Sequence, residues 1–257
     1  VTLPPILMLH HVEPGPLDPP PLHPDSYLSR HDFAGFLDSL ATRGVRTLTL
    51  AEALQGTHRR RSVVLTFDDG CRCFRDHAFP ELQARGMTAT LFVVSGAFGG
   101  TNHWDHAAGE RTEELLGADD LQMLAASGVE IGSHSRHHRD LPACSDAELD
   151  EELAGSRADL EALLGAPPQT FCYPYGHVDG RTRAAARAAG YRAAVSIHAQ
   201  PGARPGDPWA WPRLILNPGE SRFERRLKVS GLYPLWSRLP RLGLLAGLRR
   251  TRRRPAA

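Results

Sequence analysis

The chain has 257 residues, 41% of them hydrophobic and 23% charged, with a formal net charge of +1. That length fills one fully cored domain, and the near-zero charge excludes nucleic acid as a partner for the whole chain. No run of 18 or more apolar residues occurs, which excludes a membrane-spanning helix.

Pro5-Ile6-Leu7-Met8-Leu9 reads as a first strand ending at His10-His11, followed by a proline-rich loop to Pro24. Ser29 is placed to cap a helix running to about Arg43, with Asp32 at the capping-box position and Phe33, Phe36, Leu37 and Leu40 as its apolar stripe. A strand over 45–50 and a short helix to Gln55 come next. Ser62 to Phe67 is an apolar, β-branched strand that runs into Asp68-Asp69-Gly70. Two adjacent carboxylates at the end of a buried strand repel unless a cation lies nearby. The plain alternative is an Asp-Gly turn. A helix over 74–85 and a strand over 88–94 lead into a long loop, 95–117, containing Gly99-Gly100-Thr101-Asn102-His103-Trp104-Asp105. Its length suits a loop facing substrate, and a solvent loop with a packed tryptophan is the alternative.

A helix over 118–127 precedes the strand 129–133 and the cluster His134-Ser135-Arg136-His137-His138. His134 and His138 are four apart and point the same way on one helical turn or a loop curled like one; His134 and His137 can also pair. Paired neutral imidazoles completed by a carboxylate suit zinc and similar ions, with a position left open for water. The helix 146–164 is acidic outside, with Leu149, Leu153, Leu160 and Leu163 inside. Strand 170–173 ends in Pro174-Tyr175-Gly176; helix 180–189, strand 191–197 and a last strand, Trp211 to Leu216, follow. The four cysteines, at 71, 73, 144 and 172, form neither a zinc knuckle nor a disulfide framework, and Cys71 and Cys73 read as small reduced residues rather than ligands. Strands alternating with helices predict a parallel α/β fold, and the polar clusters all fall just after strands, on one rim of a barrel.

Thr66-Phe67-Asp68-Asp69-Gly70 together with His134-Ser135-Arg136-His137-His138 resembles the polysaccharide deacetylases, the NodB-homology group of carbohydrate esterase family four, from about Ile6 to about Leu216. The resemblance implies a distorted (β/α)7-type barrel and a metal-dependent hydrolase that removes N-acetyl groups from N-acetylated amino sugars. It implies one divalent ion, zinc foremost with cobalt or nickel as alternatives, held by Asp69, His134 and His138. Asp68 corresponds to the base acting on the metal's water, and the backbone N–H of Tyr175 to an oxyanion donor. Leu7-Met8-Leu9-His10-His11-Val12 resembles the opening motif of a permuted branch that includes poly-β-1,6-N-acetylglucosamine deacetylases, which implies His10 as the acid. His198, in Val195-Ser196-Ile197-His198, is the alternative acid. Cys172 stands where the family motif carries an arginine; Arg213 is placed to take over the role, or is an ordinary packing residue. Trp104, Asp105, Tyr173 and Arg213 are the candidate substrate-binding residues, the aromatic ones stacking on sugar rings or simply packing. Two rival readings are a cyclic imide or ureide hydrolase on the same fold and a non-catalytic carbohydrate-binding module.

Residues 1–220 are expected to form the catalytic domain and 221–257 a basic amphipathic extension. No acidic residue follows Arg225, and leucines and a tryptophan alternate with arginines to the end. That composition suits peripheral contact with an anionic membrane, or else a helix packed on the barrel followed by a disordered basic end. No basic-then-apolar leader precedes the first strand, which predicts a cytoplasmic location, although the chain begins at Val1 and leaves a removed leader open.

Overall fold

The computed structural model describes residues 3–17, 21–56, 61–197 and 207–236. In chain order the strands are β1 (Ile6–Leu9), β2 (His11–Glu13), β3 (Tyr27–Ser29), β4 (Arg46–Leu48), β5 (Ser62–Phe67), β6 (Thr90–Val93), β7 (Glu130–Ser133), β8 (Thr170–Cys172), β9 (Ala193–Ser196), β10 (Trp211–Pro212) and β11 (Leu214–Ile215). Eight of them lie side by side in the order β10-β9-β8-β7-β6-β5-β1-β11, with β4 beside β5. All these pairings are parallel, as crossover helices between successive strands require.

The two ends of this order are pieces of one segment. Trp211 and Pro212 pair with β9, whereas Leu214 and Ile215 pair with β1, so the sheet curls into a nearly closed barrel with Arg213 at its seam. Counted as one interrupted stave, β10 and β11 give the seven-stave barrel expected from the sequence. The single last strand expected over 211–216 is therefore two short strands that switch partners. A second departure is a small parallel pair of β2 and β3, where the sequence predicts a loop from His11 to Pro24 and no strand before the Ser29 cap.

Alternation along the strands builds two layers. Leu7, Leu9, Val63, Leu65, Phe67, Leu91 and Ile131 face outward and pack under the helices in the largest core cluster. Ile6, Val64, Phe92, Cys172 and Val195 face inward, and Leu48, Leu50 and Ala53 close the barrel's N-terminal end beneath them. Both faces are apolar, so the strands read as continuous hydrophobic runs. The helix Arg30–Thr42 starts where Ser29 Oγ accepts the Asp32 N–H at 3.0 Å, and its four predicted stripe residues are all buried. The expected helices 74–85 and 146–164 are each interrupted by a π-turn, at Phe74–Ala78 and Glu151–Gly155.

The helix Arg222–Ser230, at the start of the expected extension, lies on the barrel with Val229 in the main core. The Lys228 ammonium bonds the Glu220 carboxylate and the Ile215 carbonyl. The arginine-rich residues 237–257 lie outside the described residues, as does His198. No helix among the described residues is long and apolar enough to cross a membrane.

Gly132 shows how tightly the interior is filled. A Cβ there would stand 2.6 Å from the Phe92 ring and 2.9 Å from Thr170 Oγ1. Gly132→Ala is expected to destabilise the protein by about 1–3 kcal/mol through overpacking, read as a lower urea midpoint at unchanged slope. An unshifted midpoint would mean that Phe92 has room to move.

Candidate active site

The inward parity that buries Ile6, Val64 and Cys172 continues past the ends of the strands. Two and four residues on from Ile6 come Met8 and His10, and from Val64 come Thr66 and Asp68; His134 follows Gly132 in the same way. Met8, His10, Asp68, Asp69, His134 and Arg213 all line one cleft of about 370 Å³ at the C-terminal rim. The end closed by Leu48, Leu50 and Ala53, where the Glu130 carboxylate accepts from Thr90 and Thr170, lies opposite a rim that gathers most of the inward-facing charge.

Asp68 is 3% exposed and meets Arg213, itself 2% exposed, in a two-pronged ion pair of 2.6 and 2.7 Å. Arg213 also reaches Thr66 Oγ1 at 3.0 Å and Cys172 Sγ at 3.1 Å. Burial works to raise the Asp68 pKa, but the guanidinium outweighs it and holds the carboxyl below its ordinary value. Arg213, a candidate substrate binder by sequence, thus has its guanidinium committed inside the barrel. The small Cys172 side chain lines the space where Arg213 and Asp68 meet.

Asp69 adopts φ 71° and turns one oxygen toward both imidazoles, 3.4 Å from His134 Nε2 and 3.6 Å from His138 Nε2. Donors held about 2.0–2.2 Å from one tetrahedral ion stand about 3.3–3.6 Å apart. His134 Nδ1–H donates to the Cys172 carbonyl at 2.8 Å, which orients the ring and turns Nε2 toward Asp69. His138 is neutral, its pKa lowered to about 3 by burial and by His134. Burial also opposes charge on His134, but Cys172 and the Asp69 and Asp68 carboxylates outweigh it and raise its pKa well above 6.5. The pocket therefore favours a positive charge at its centre, and the oxygen–nitrogen–nitrogen donor set fits a divalent ion.

The loop carrying the histidines is fastened from behind. Glu152, 1% exposed, accepts the N–H groups of Arg136 and His137 at 3.0 and 2.8 Å and meets His137 Nδ1 at 2.7 Å. His137 is thereby drawn away from Asp69, which leaves His134 and His138 as the pair. The His138 amide donates to Ser135 Oγ at 2.9 Å. Among the described residues the non-glycines with positive φ are Asp69, Ser135, His138 and Tyr175, and all four belong to this rim. Strained backbone concentrated in one place is a mark of functional sites. Tyr175 sits at φ 57°, ψ 2°, and Gly176 follows at φ 69°, where a Cβ would collide with Ile197 at 2.7 Å.

Trp104 stacks on His138 at 4.6 Å, and Tyr175, 43% exposed, meets the same imidazole edge-on at 4.6 Å. The loop bearing Trp104 is pinned to the Asp68-Asp69-Gly70 turn, since Leu116 N–H donates to the Gly70 carbonyl at 2.9 Å. Asn102 fastens it internally, accepting from Glu113 N–H at 2.7 Å. Asp105 lies on the cleft wall, its pKa raised by burial and by Asp69. Tyr173 is 1% exposed and donates its hydroxyl to the Trp209 carbonyl, so it packs and offers the cleft only an edge. His10 Nε2 stands 3.9 Å from Asp68 Oδ2 on the open side of the cleft, whereas His11 is buried and stacked on Tyr27 at 4.2 Å.

The polysaccharide deacetylase family model matches residues 55–194. YxkH of Bacillus subtilis (strain 168), which carries a provisional polysaccharide deacetylase name, is 27% identical over 222 residues, 84% of this chain and 72% of its own. The poly-β-1,6-N-acetyl-D-glucosamine N-deacetylase of Staphylococcus aureus (strain MRSA252) is 22% identical over 214 residues, 78% of this chain and 71% of its own. Among solved structures, IcaB from Ammonifex degensii superposes with a TM-score of 0.69 at 25% identity, covering 90% of this chain and 97% of that one.

Removing the guanidinium isolates the Asp68 charge. Arg213→Met is expected to cost about 3–5 kcal/mol at neutral pH, the usual penalty for a buried charge stripped of its partner. The folded Asp68 pKa is depressed, so its stabilisation is present above 3.8 and lost as pH falls through the folded value. In the variant, burial without the guanidinium raises the Asp68 pKa, so the gap in denaturant melts should begin to narrow as pH falls through that raised value and close as pH falls through the depressed wild-type value. A gap independent of pH would assign Arg213 a packing role only.

Proposed function

The chain belongs to the polysaccharide deacetylase family, and from that premise we propose that it is a metal-dependent N-deacetylase of N-acetylated amino sugars in a glycan or glycan precursor. The observation that carries this reading is the juxtaposition of two buried centres, the Asp69–His134–His138 donor set and the Asp68–Arg213 pair, with His10 on the facing wall. The poly-β-1,6-N-acetylglucosamine deacetylase among its relatives makes that polymer the first substrate to try. A divalent ion held by Asp69, His134 and His138 would supply Lewis acidity and an acidified water.

Asp68 is assigned the proton from the attacking water. Its pairing with Arg213 keeps it ionised and aimed, and the fork geometry fixes its plane. As the carbon–nitrogen bond breaks, the leaving amine needs a proton, and His10 is the assigned donor. The Tyr175 backbone N–H, set by its left-handed conformation, is assigned to the carbonyl oxygen as negative charge builds there. Trp104, stacked on His138, and Tyr175, set edge-on to it, confine the imidazole and present apolar surface to a sugar ring.

Acetate release from β-1,6-linked N-acetylglucosamine oligomers, run beside a cyclic-imide panel with added zinc, cobalt or nickel, tests the substrate class. Acetate should be released from the oligomers while the imide rings stay closed; ring opening of imides without acetate release from the oligomers would overturn the assignment. Asp68→Asn should abolish turnover while the ion stays bound, and His134→Ala should lose the ion as well. If Asp68→Asn strips the ion instead, the two aspartates are reversed. His10→Ala should slow amide hydrolysis about 10²–10⁴-fold with ion binding unchanged, and should spare an activated aryl ester whose leaving group needs no proton. A near-wild-type His10→Ala would transfer the acid role elsewhere.

A further inference from the structure

Next to the Asp69 centre, β2 and the segment after Gly70 bring together a second set of donors. His11 Nδ1 lies 3.7 Å from Cys73 Sγ, and with the Glu13 carboxylate one donor from each of the three falls within 4.8 Å of the others. His11 and Cys73 are 7% and 8% exposed, while Glu13 is half-buried and opens the set toward solvent. The set is braced. The His11 ring is stacked on Tyr27 with only 10° between planes, the Tyr27 hydroxyl is bonded to Glu113, and β2 is paired along its length with β3. His77, four residues beyond Cys73 and within electrostatic reach of Glu13, has a buried Nδ1 with no hydrogen-bond partner among the described residues.

We propose that His11, Glu13 and Cys73 form a second cation site, suited to a thiophilic divalent ion such as zinc and distinct from the Asp69–His134–His138 centre. The donors choose the ion: imidazole, carboxylate and thiolate together suit zinc or cadmium, whereas magnesium and calcium take oxygen ligands. Nitrogen and sulfur donors about 2.0–2.1 and 2.3 Å from one tetrahedral ion stand about 3.6 Å apart, close to the spacing found. On binding, the Cys73 S–H bond breaks, a sulfur–metal bond forms, and the proton leaves to solvent. The His11 ring is shared, because one of its nitrogens also groups with Asp69 and Cys71. An ion on this site therefore lies close to Asp69, a donor of the first centre. Cys73, free as the sequence predicts and buried, would on this proposal also serve as a ligand.

Cobalt(II) titration of the metal-free full chain separates the two centres. Thiolate–cobalt charge transfer absorbs in the near ultraviolet, and the Asp–His–His set, having no sulfur, contributes none of it. The wild type should develop this band and take up two ions per chain by native mass spectrometry. Cys73→Ser and His11→Asn should lose the band and take up one, while His134→Ala should keep the band. No band in the wild type at saturating cobalt would overturn the proposal. So would a band that survives Cys73→Ser but disappears in Cys71→Ser, or one lost in His134→Ala, which would put the thiolate at Cys172. Should Cys73→Ser fail to fold, the wild-type spectrum and His11→Asn decide in the same way.

Discussion

Two aspartates buried side by side set the central constraint. Asp68 and Asp69 occupy consecutive positions, yet the backbone reversal at Asp69 sends their side chains to different partners. Asp68 turns to Arg213 and Asp69 to two imidazoles. One negative charge is neutralised by the protein and the other is left for something that the donors around it can hold. Most of the surrounding architecture serves that division: the seam that delivers Arg213, the small Cys172 beside it, and the Glu152 anchor that fixes which histidines face Asp69.

The chemistry of this rim was legible in the sequence because it is written in short, local motifs. Asp68-Asp69-Gly70 and His134-Ser135-Arg136-His137-His138 name their residues, and the strand-helix alternation names the fold. The supports were not legible in the same way. The acidic pattern of its helix puts Glu152 outside, yet it stands three residues from Leu149 and four from Ser156, on the buried stripe. That spacing was a usable signal. Arg213 was visible only as a candidate, because nothing local in a strand announces a partner 145 residues away. The change of partner at the seam was invisible for a different reason. Trp211 to Leu216 has the apolar character of one strand, and only barrel curvature splits it. Tyr173 illustrates the converse, an aromatic next to the motif whose parity sends it into a core cluster with Phe171 and Tyr191.

Local strain and long-range pairing act together here. Four non-glycine residues hold left-handed backbone at the rim, each at some energetic cost. Hydrogen bonds fasten much of this rim, from Ser135 Oγ to the His138 amide and from the Gly70 carbonyl to the loop that carries Trp104. The donors are thus positioned before any ligand arrives, which is the condition for binding that does not have to reorganise its host.

The seam also ties the order of assembly to the onset of chemistry. Arg213 lies in the segment that joins β9 to β1, so the contact that closes the barrel and the contact that neutralises Asp68 form in the same step. Until that segment docks, the carboxylate has no guanidinium and the first and ninth strands have no neighbour between them. Pairings this distant in sequence form late, because the chain entropy they consume is large. A chain still emerging from synthesis therefore carries the Asp68-Asp69-Gly70 and His134–His138 motifs long before Arg213 can join them. The paired-charge half of the rim is thus withheld until the fold is topologically complete.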